Sequence, residues 1–407
     1  MRPAKGKFTV LKQICELIPR NLVARLSAKH GVDRQSRSFR PWSHVVSMLF
    51  AQLAHALSLN DVCDTLGNHS GALAAIRRAT PPSRNGLSHA NRARSAAMME
   101  ELFWETLGHL RRLTPGFGSG NGYVGLPRRF RRIVNVIDST TISLVANCMD
   151  WAKHRRRKAA AKMHLRLNLQ SFLPGFALVK AGNTHDATDA RRVCAGIQDG
   201  EIAVFDKAYL DFEHLAELDE RGIFWVSRAK ENMQYEVVRE RSSAKGRILR
   251  DAVVRPAVAK TRAAYPGELR LVEAMVEMAD GSEQTMTFLT NNLEWAASSI
   301  CDLYKARWGI EAFFKQIKQT LKLSDFLGYS ENAVLWQVWS ALLTYVLLRF
   351  LGHTSKWRGS FSRLFTVLRG VMWSRLDLFG VLACCGTASD PPRMCAMPQQ
   401  AYLPGFG

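Results

Sequence analysis

Tyr304, Arg307, Glu311 and Lys318 are spaced Y-(2)-R-(3)-E-(6)-K. At about 100° per residue the four fall within roughly 60° of one another on a helix. Leu303, Ile310, Phe314, Ile317 and Leu321 make an adjacent apolar stripe. The pattern predicts a helix with one face in a core and a polar stripe at the core's edge. A carboxylate so placed can bind a cation while Arg and Lys hold phosphate. Taken alone, the stripe reads first as an ordinary salt-bridged surface, Glu311 with Lys315 for instance.

A divalent cation needs more oxygen ligands than one Glu. Asp138 follows the apolar, β-branched run Ile133 to Ile137, and Asp206 follows Ile202 to Phe205. Ligands gather beyond the carboxyl ends of α/β strands, although a single strand-end Asp also serves as a turn or helix cap. Three carboxylates brought together repel unless a metal neutralises them.

The elements that must position these groups follow from pattern. Residues 1 to about 115 carry apolar residues at helical spacing, as in Leu11, Ile14, Ile18, Leu22 and Leu26. Pro115 to Pro127 holds five Gly and reads as a linker. Short strands are expected at Ile133 to Asp138, His164 to Phe172, Phe176 to Lys180, Ile202 to Asp206 and Phe224 to Val226, with helices after Ala187 and before Arg221. That order predicts a mixed α/β sheet. Lys230 to Asn292 is polar and strand-rich and reads as a β-rich insertion. Helix is expected again from Trp295 to about Leu351. Ala333 to Leu351 is interrupted by Gln337, Ser340, Thr344 and Arg349, which favours a core helix over a membrane span. The expected divisions are therefore 1–115, 116–132, 133–229, 230–292, 293–352 and a tail from 353 to 407.

The formal net charge is +21, a surplus that predicts a polyanionic partner, with nucleic acid first and an anionic membrane surface second. Before Ile133 there are 21 Lys and Arg against 7 Asp and Glu. Arg77-Arg78 and the run containing Arg155, Arg156, Arg157 and Lys158 are candidate DNA contacts, with a solvated charge run as the alternative for the latter. Eight cysteines without a CxxC pair argue against a zinc site and for a reducing compartment. No apolar signal core follows the basic N-terminus.

Asp138-Ser139-Thr140, Phe205-Asp206-Lys207-Ala208-Tyr209 and the Tyr304/Arg307/Glu311/Lys318 spacing resemble the IS4-family DDE transposases. The resemblance runs from about residue 8 to the C-terminus, including Pro398 to Phe406. It departs at Lys207-Ala208, where many relatives carry Arg-Gly. It implies an RNase H-like mixed-sheet catalytic core with a β-rich insertion, preceded by an all-α N-terminal DNA-binding domain. It also implies a catalytic and metal-binding triad of Asp138, Asp206 and Glu311 holding two Mg²⁺, with Mn²⁺ able to substitute. Tyr304, Arg307 and Lys318 would contact DNA phosphate. The implied partners are double-stranded DNA, as transposon terminal inverted repeats and target, and a second copy of the chain in a synaptic homodimer. The implied setting is the bacterial cytoplasm, at the nucleoid, with no membrane. The implied reaction is cutting at transposon ends and joining of the 3′-hydroxyl to target DNA. Relatives stack a flipped base on a tryptophan of the insertion. None lies between Lys230 and Asn292, which leaves Trp308, Trp295 or Trp225 as substitutes. His164, His185 and Asp186 are weaker candidates to support the site. A non-catalytic DNA-binding remnant or repressor, and a nuclease without a joining step, are the alternative readings.

Overall fold

The computed structural model describes residues 3–32, 38–119, 130–144, 148–155, 158–181, 186–242, 246–277, 281–323 and 325–385. Ten strands form one mixed sheet: β1 (Val134–Leu144), β2 (Lys153–Arg155), β3 (Lys158–Asn168), β4 (Leu173–Ala181), β5 (Ile202–Phe205), β6 (Phe224–Arg228), β7 (Tyr235–Ser242), β8 (Ile248–Pro256), β9 (Leu269–Glu277) and β10 (Glu283–Thr290). Their order is β2-β3-β1-β5-β6-β10-β9-β8-β7, with β4 also on β3. β1, β5 and β6 are parallel neighbours, and the helix Phe212–Glu220 connects the last two. All four residues of β5 are buried, as a strand covered on both faces requires. The strands of residues 230–292 extend this sheet, because β10 pairs antiparallel with β6.

Behind β1 and β5 lies an apolar cluster that includes Ile137, Phe205, Tyr209 and, from the helix Asp186–Cys194, Ala190, Val193 and Cys194. Successive strand residues face opposite sides. With Ile137 and Phe205 in this cluster, Asp138 and Asp206 face the other side of the sheet. Ile137 and Phe205 are register partners, so the two aspartates sit level, one residue beyond the last parallel pair.

The described residues divide into two compact units. Arg111 to Val338 make one; residues up to Leu110 and from Trp339 onward make the other. The second unit is helical, and its caps are legible in sequence. Ser58 and Asp61 form a capping box before Leu59–Asn68, and the Ser83 hydroxyl accepts from the Gly86 amide at the start of Arg84–Ala93. The segment expected as 293–352 is thus divided within the helix Glu331–Thr354. The division has a packing cause: Trp339 lies 5.5 Å from Phe103 and 6.2 Å from Trp104, ring centre to ring centre. Among the described residues Glu331–Thr354 is the single unbroken helix long and apolar enough to cross a membrane, and its most apolar window is 89% buried inside the protein; Pro41–Ala54 and Leu59–Asn68 reach that length only together, across a 105° bend.

Candidate active site

β1 carries Asp138, but not at a strand end. The apolar run stops there because β5 no longer covers that edge. β1 itself continues to Leu144, paired with β3 as far as Leu144↔Ala159. Asp138 therefore sits mid-strand, at the point where β1 loses one neighbour. Its Oδ1 accepts from the Ser139 amide at 2.7 Å. Asp206 does end its strand. It precedes a 3₁₀ turn, Lys207–Tyr209, closed by the Tyr209 amide donating to the Asp206 carbonyl at 3.0 Å.

The third contributor differs from the single helix that the spacing predicts. Ala297–Ala306 is α-helix, Arg307 and Trp308 form a turn, Gly309–Lys315 is α-helix again, and Gln316–Thr320 is a π-helical turn. Between them the amides of Arg307, Trp308, Ile310 and Glu311 each donate to the carbonyl three residues earlier, at 3.0 to 3.1 Å. A 3₁₀ stretch winds about 120° per residue, so Glu311 is rotated away from where a uniform helix would put it. Mid-helix 3₁₀ and π turns often mark functional positions. An apolar periodicity cannot register them, because the buried stripe of Leu303, Ile310, Phe314, Ile317 and Leu321 survives the break.

These elements bring five of the predicted residues together. Arg307 Nη1 donates to Asp138 Oδ2 at 2.5 Å, and Arg307 Nη2 lies 3.6 Å from Glu311 Oε1. Tyr304 Oη donates to Asp206 Oδ1 at 3.2 Å. The Arg307 side chain is 12% exposed and Asp138 19%, whereas Glu311 is 62% exposed. Lys318 is placed apart from the carboxylates and donates to the Thr141 carbonyl of β1 at 2.6 Å.

Burial pushes the Asp138 carboxyl up to about 6; Arg307 pulls against the rise, and Asp206 and Glu311 add to it. Arg307 is itself raised: burial opposes its charge, but Asp138 and the groups around it prevail. Arginine stays protonated throughout, so the change at Asp138 is the one with chemical consequence. Asp138 and Glu311 share one buried guanidinium while Asp206 is bonded by a neutral phenol, which leaves the site short of positive charge. Burial also raises Tyr304 to about 12, so its phenol keeps its proton at neutral pH. Lys318 is lowered by burial.

Among the described residues no three His, Cys, Asp or Glu side chains stand together as a ready ligand set. The donor chemistry nevertheless fits a hard divalent cation. Asp138, Asp206 and Glu311 offer only carboxylate oxygens, and they are near enough that two of them raise the third. The cation they now have is Arg307.

The remaining predicted contacts distribute differently. Arg77 is spent inside the helical unit. Its guanidinium donates to the carbonyls of Ile18 at 2.6 Å, Cys15 at 3.4 Å and Pro19 at 3.5 Å, pairs with Glu16 at 3.2 Å and stacks on Trp42. Arg78 is exposed. Arg155 and Lys158 lie in β2 and β3, and Asp186 opens the helix Asp186–Cys194, with their side chains outside the described residues. Arg156, Arg157, His185 and the segment from Pro398 to Phe406 lie wholly outside them. Of the three substitute tryptophans, Trp225 is buried against Phe205 and Tyr265 and has no free ring face. Two polar residues behind the sheet, Asp189 and Lys180, gave no sequence signal and join His164 and Tyr209 in one network.

A family model described as "Transposase DDE domain" matches residues 129–347, and one described as "Domain of unknown function (DUF4372)" matches residues 7–76. The chain is 33% identical over 305 residues to y4zB of Sinorhizobium fredii, which carries the name of a transposase. That match covers 74% of this chain and 80% of the relative. It is 28% identical over 231 residues to a Geobacillus stearothermophilus protein named as a transposase for insertion sequence element IS5377, covering 56% and 59% of the two chains. It is 23% identical over 222 residues to a Synechocystis protein named as a transposase for insertion sequence element IS4SA, covering 53% and 59%.

Proposed function

The chain belongs to the DDE transposases, and from that membership we propose which residues do the work and where in the family it falls. It is a DNA transposase that cleaves DNA and transfers strands. Asp138, Asp206 and Glu311 are the catalytic carboxylates. They would hold two divalent ions, Mg²⁺ or in its place Mn²⁺, which when bound activate a water or a DNA 3′-hydroxyl and stabilise the leaving oxygen.

The observation that carries this reading is a double contact. Residues of one broken helix, Arg307 and Tyr304, reach Asp138 and Asp206 on two different strands. A cationic donor and a protonated phenol so placed suit phosphate oxygens as well as carboxylates. Arg307 Nε has no hydrogen-bond partner among the described residues, so its guanidinium can gain bonds by turning to a DNA phosphate. Lys318 holds the backbone further along, from the π-helical turn. The uninterrupted Tyr304/Arg307/Glu311/Lys318 spacing and a relative named for an IS4SA element favour the IS4 family and an RNase H-like core. The helical unit, Arg78 included, reads the terminal inverted repeats, and two copies pair two ends in the synaptic complex. The +21 charge supports a nucleoid-associated, cytoplasmic protein.

The test is Glu311→Gln in the full chain with end-containing DNA and Mg²⁺. Cleavage, read by mapping cut strands, is expected to vanish while end binding by gel shift stays within about twofold, since one uncharged amide replaces an exposed carboxylate. Metal-dependent cutting retained by this variant would reject the triad.

A further inference from the structure

Behind the sheet, on the face away from Glu311, buried polar residues of β3, of the turn that follows β5 and of the helix Asp186–Cys194 come together. His164 of β3 is opposite Ser139 of β1, the residue after Asp138, so the two share a face. Its side chain is 0% exposed. His164 Nδ1 and Tyr209 Oη are 3.0 Å apart. Tyr209 closes the 3₁₀ turn that starts at Asp206. On the other side of the ring, His164 Nε2 is 3.7 Å from Asp189 Oδ2, and the Asp189 Oδ1 accepts from Lys180 Nζ of β4 at 2.5 Å. Asp189 is 1% exposed. Hydrogen bonds hold the Tyr209–His164 and Lys180–Asp189 pairs in place, whereas the 3.7 Å approach of His164 to Asp189 is an ion-pair distance beyond hydrogen-bond reach. An apolar pair in the cluster of Ile137 and Phe205 would meet the packing need alone, so the polar chain serves geometry.

We propose that His164 and Tyr209 are positioning residues for strand cleavage: through the Tyr209–His164 hydrogen bond they hold the turn carrying Asp206 at a fixed offset from Asp138 on β1. This rests on the reading that Asp138 and Asp206 are the reactive carboxylates. β5 supplies only four paired residues on β1 and ends at Phe205. Beyond that point Asp206 has no register partner on β1 among the described residues, and side-chain bonds hold the turn: Tyr209 to His164, and Lys230 to the Leu210 carbonyl at 3.0 Å. Tyr304 ties Asp206 from the front face; Tyr209 ties it from the back.

The test uses the full chain with Mn²⁺ as the probe, its affinity measured by electron paramagnetic resonance without DNA, alongside cleavage of end DNA at saturating Mn²⁺. Tyr209→Phe removes one hydroxyl and keeps the ring. It is expected to weaken Mn²⁺ binding and slow cleavage by about tenfold each, the scale of one lost buried hydrogen bond, with end-DNA affinity unchanged. His164→Leu should match it. His164→Asn, which can place an amide where Nδ1 lies, should recover most of the loss, a rescue that a packing role would not give. Wild-type Mn²⁺ affinity and cleavage in Tyr209→Phe, or His164→Asn as impaired as His164→Leu, would overturn the proposal. Tyr209→Phe decides the question even where a His164 variant fails to fold. Asp206→Asn separates the two levels. If it keeps wild-type Mn²⁺ binding, the carboxylate reading falls; if it loses binding while Tyr209→Phe does not, only the brace falls.

Discussion

A guanidinium is the residue on which the candidate site turns. Arg307 touches Asp138 with one nitrogen and approaches Glu311 with another, a fork that lysine cannot reproduce. Its role as stand-in cation and its role on phosphate are successive uses of the same geometry, because both partners are planar or tetrahedral oxyanions. Arg307→Lys keeps the charge and loses the fork. Cleavage by that variant is expected to fall by at least about tenfold at saturating DNA and metal, the difference between bidentate and point-charge recognition. A wild-type rate in Arg307→Lys would show that charge alone suffices. Sequence made the types and spacing of these residues visible. It could not show that Arg307 reaches a strand 169 residues earlier, since such a contact leaves no local periodicity.

At the scale of elements, what was legible were strands bounded by apolar, β-branched runs, and helices with caps. What was hidden were features set by a neighbour. β1 continues past Asp138 because β3 pairs it, although the apolar pattern ends with β5. The break at Arg307–Trp308 preserves the buried stripe and so leaves no trace in it. Buried titratable groups were equally hidden. His44, within the helix Pro41–Ala54, is 0% exposed, and its Nε2 bonds Asn91 Oδ1 at 2.8 Å. Burial drives its pKa down to about 3, against an ordinary value of 6.5, with the Asn91 bond opposing. The folded chain thus refuses a proton that the unfolded chain accepts. Its contribution to stability is full above pH 6.5 and is lost as pH falls from there toward 3, by about 1.4 kcal/mol per unit. Thermal unfolding of the wild type is expected to lose midpoint steadily below about pH 6, and His44→Gln, which keeps a donor for Asn91 and cannot protonate, should lose visibly less. Parallel pH profiles for the two proteins would remove His44 as the cause.

For the whole molecule the question is where the charge surplus works. Before Ile133 cationic residues outnumber acidic ones 21 to 7, whereas from Lys230 to Asn292 the count is 10 to 9. Many arginines of that second stretch are already paired: Arg250 with Glu240 at 2.7 Å, Arg255 with Glu268 at 2.7 Å and Arg262 with Glu236 at 2.6 Å. Neutralised arginines release few counterions on meeting DNA, so β7, β8 and β9 should add little to non-specific affinity. Exposed Arg92 and Arg131, in the cation-rich stretch, should add more. The slope of log binding constant against log salt falls by about 0.9 for each phosphate contact removed. Arg92→Gln with Arg131→Gln is therefore expected to flatten the slope by up to about 1.8 units. Arg250→Gln with Arg255→Gln should leave it unchanged within error, although each breaks an ion pair. A slope that flattened for Arg250→Gln with Arg255→Gln and stayed unchanged for Arg92→Gln with Arg131→Gln would mean that DNA follows the paired sheet surface, and that the surplus before Ile133 serves something other than the DNA path.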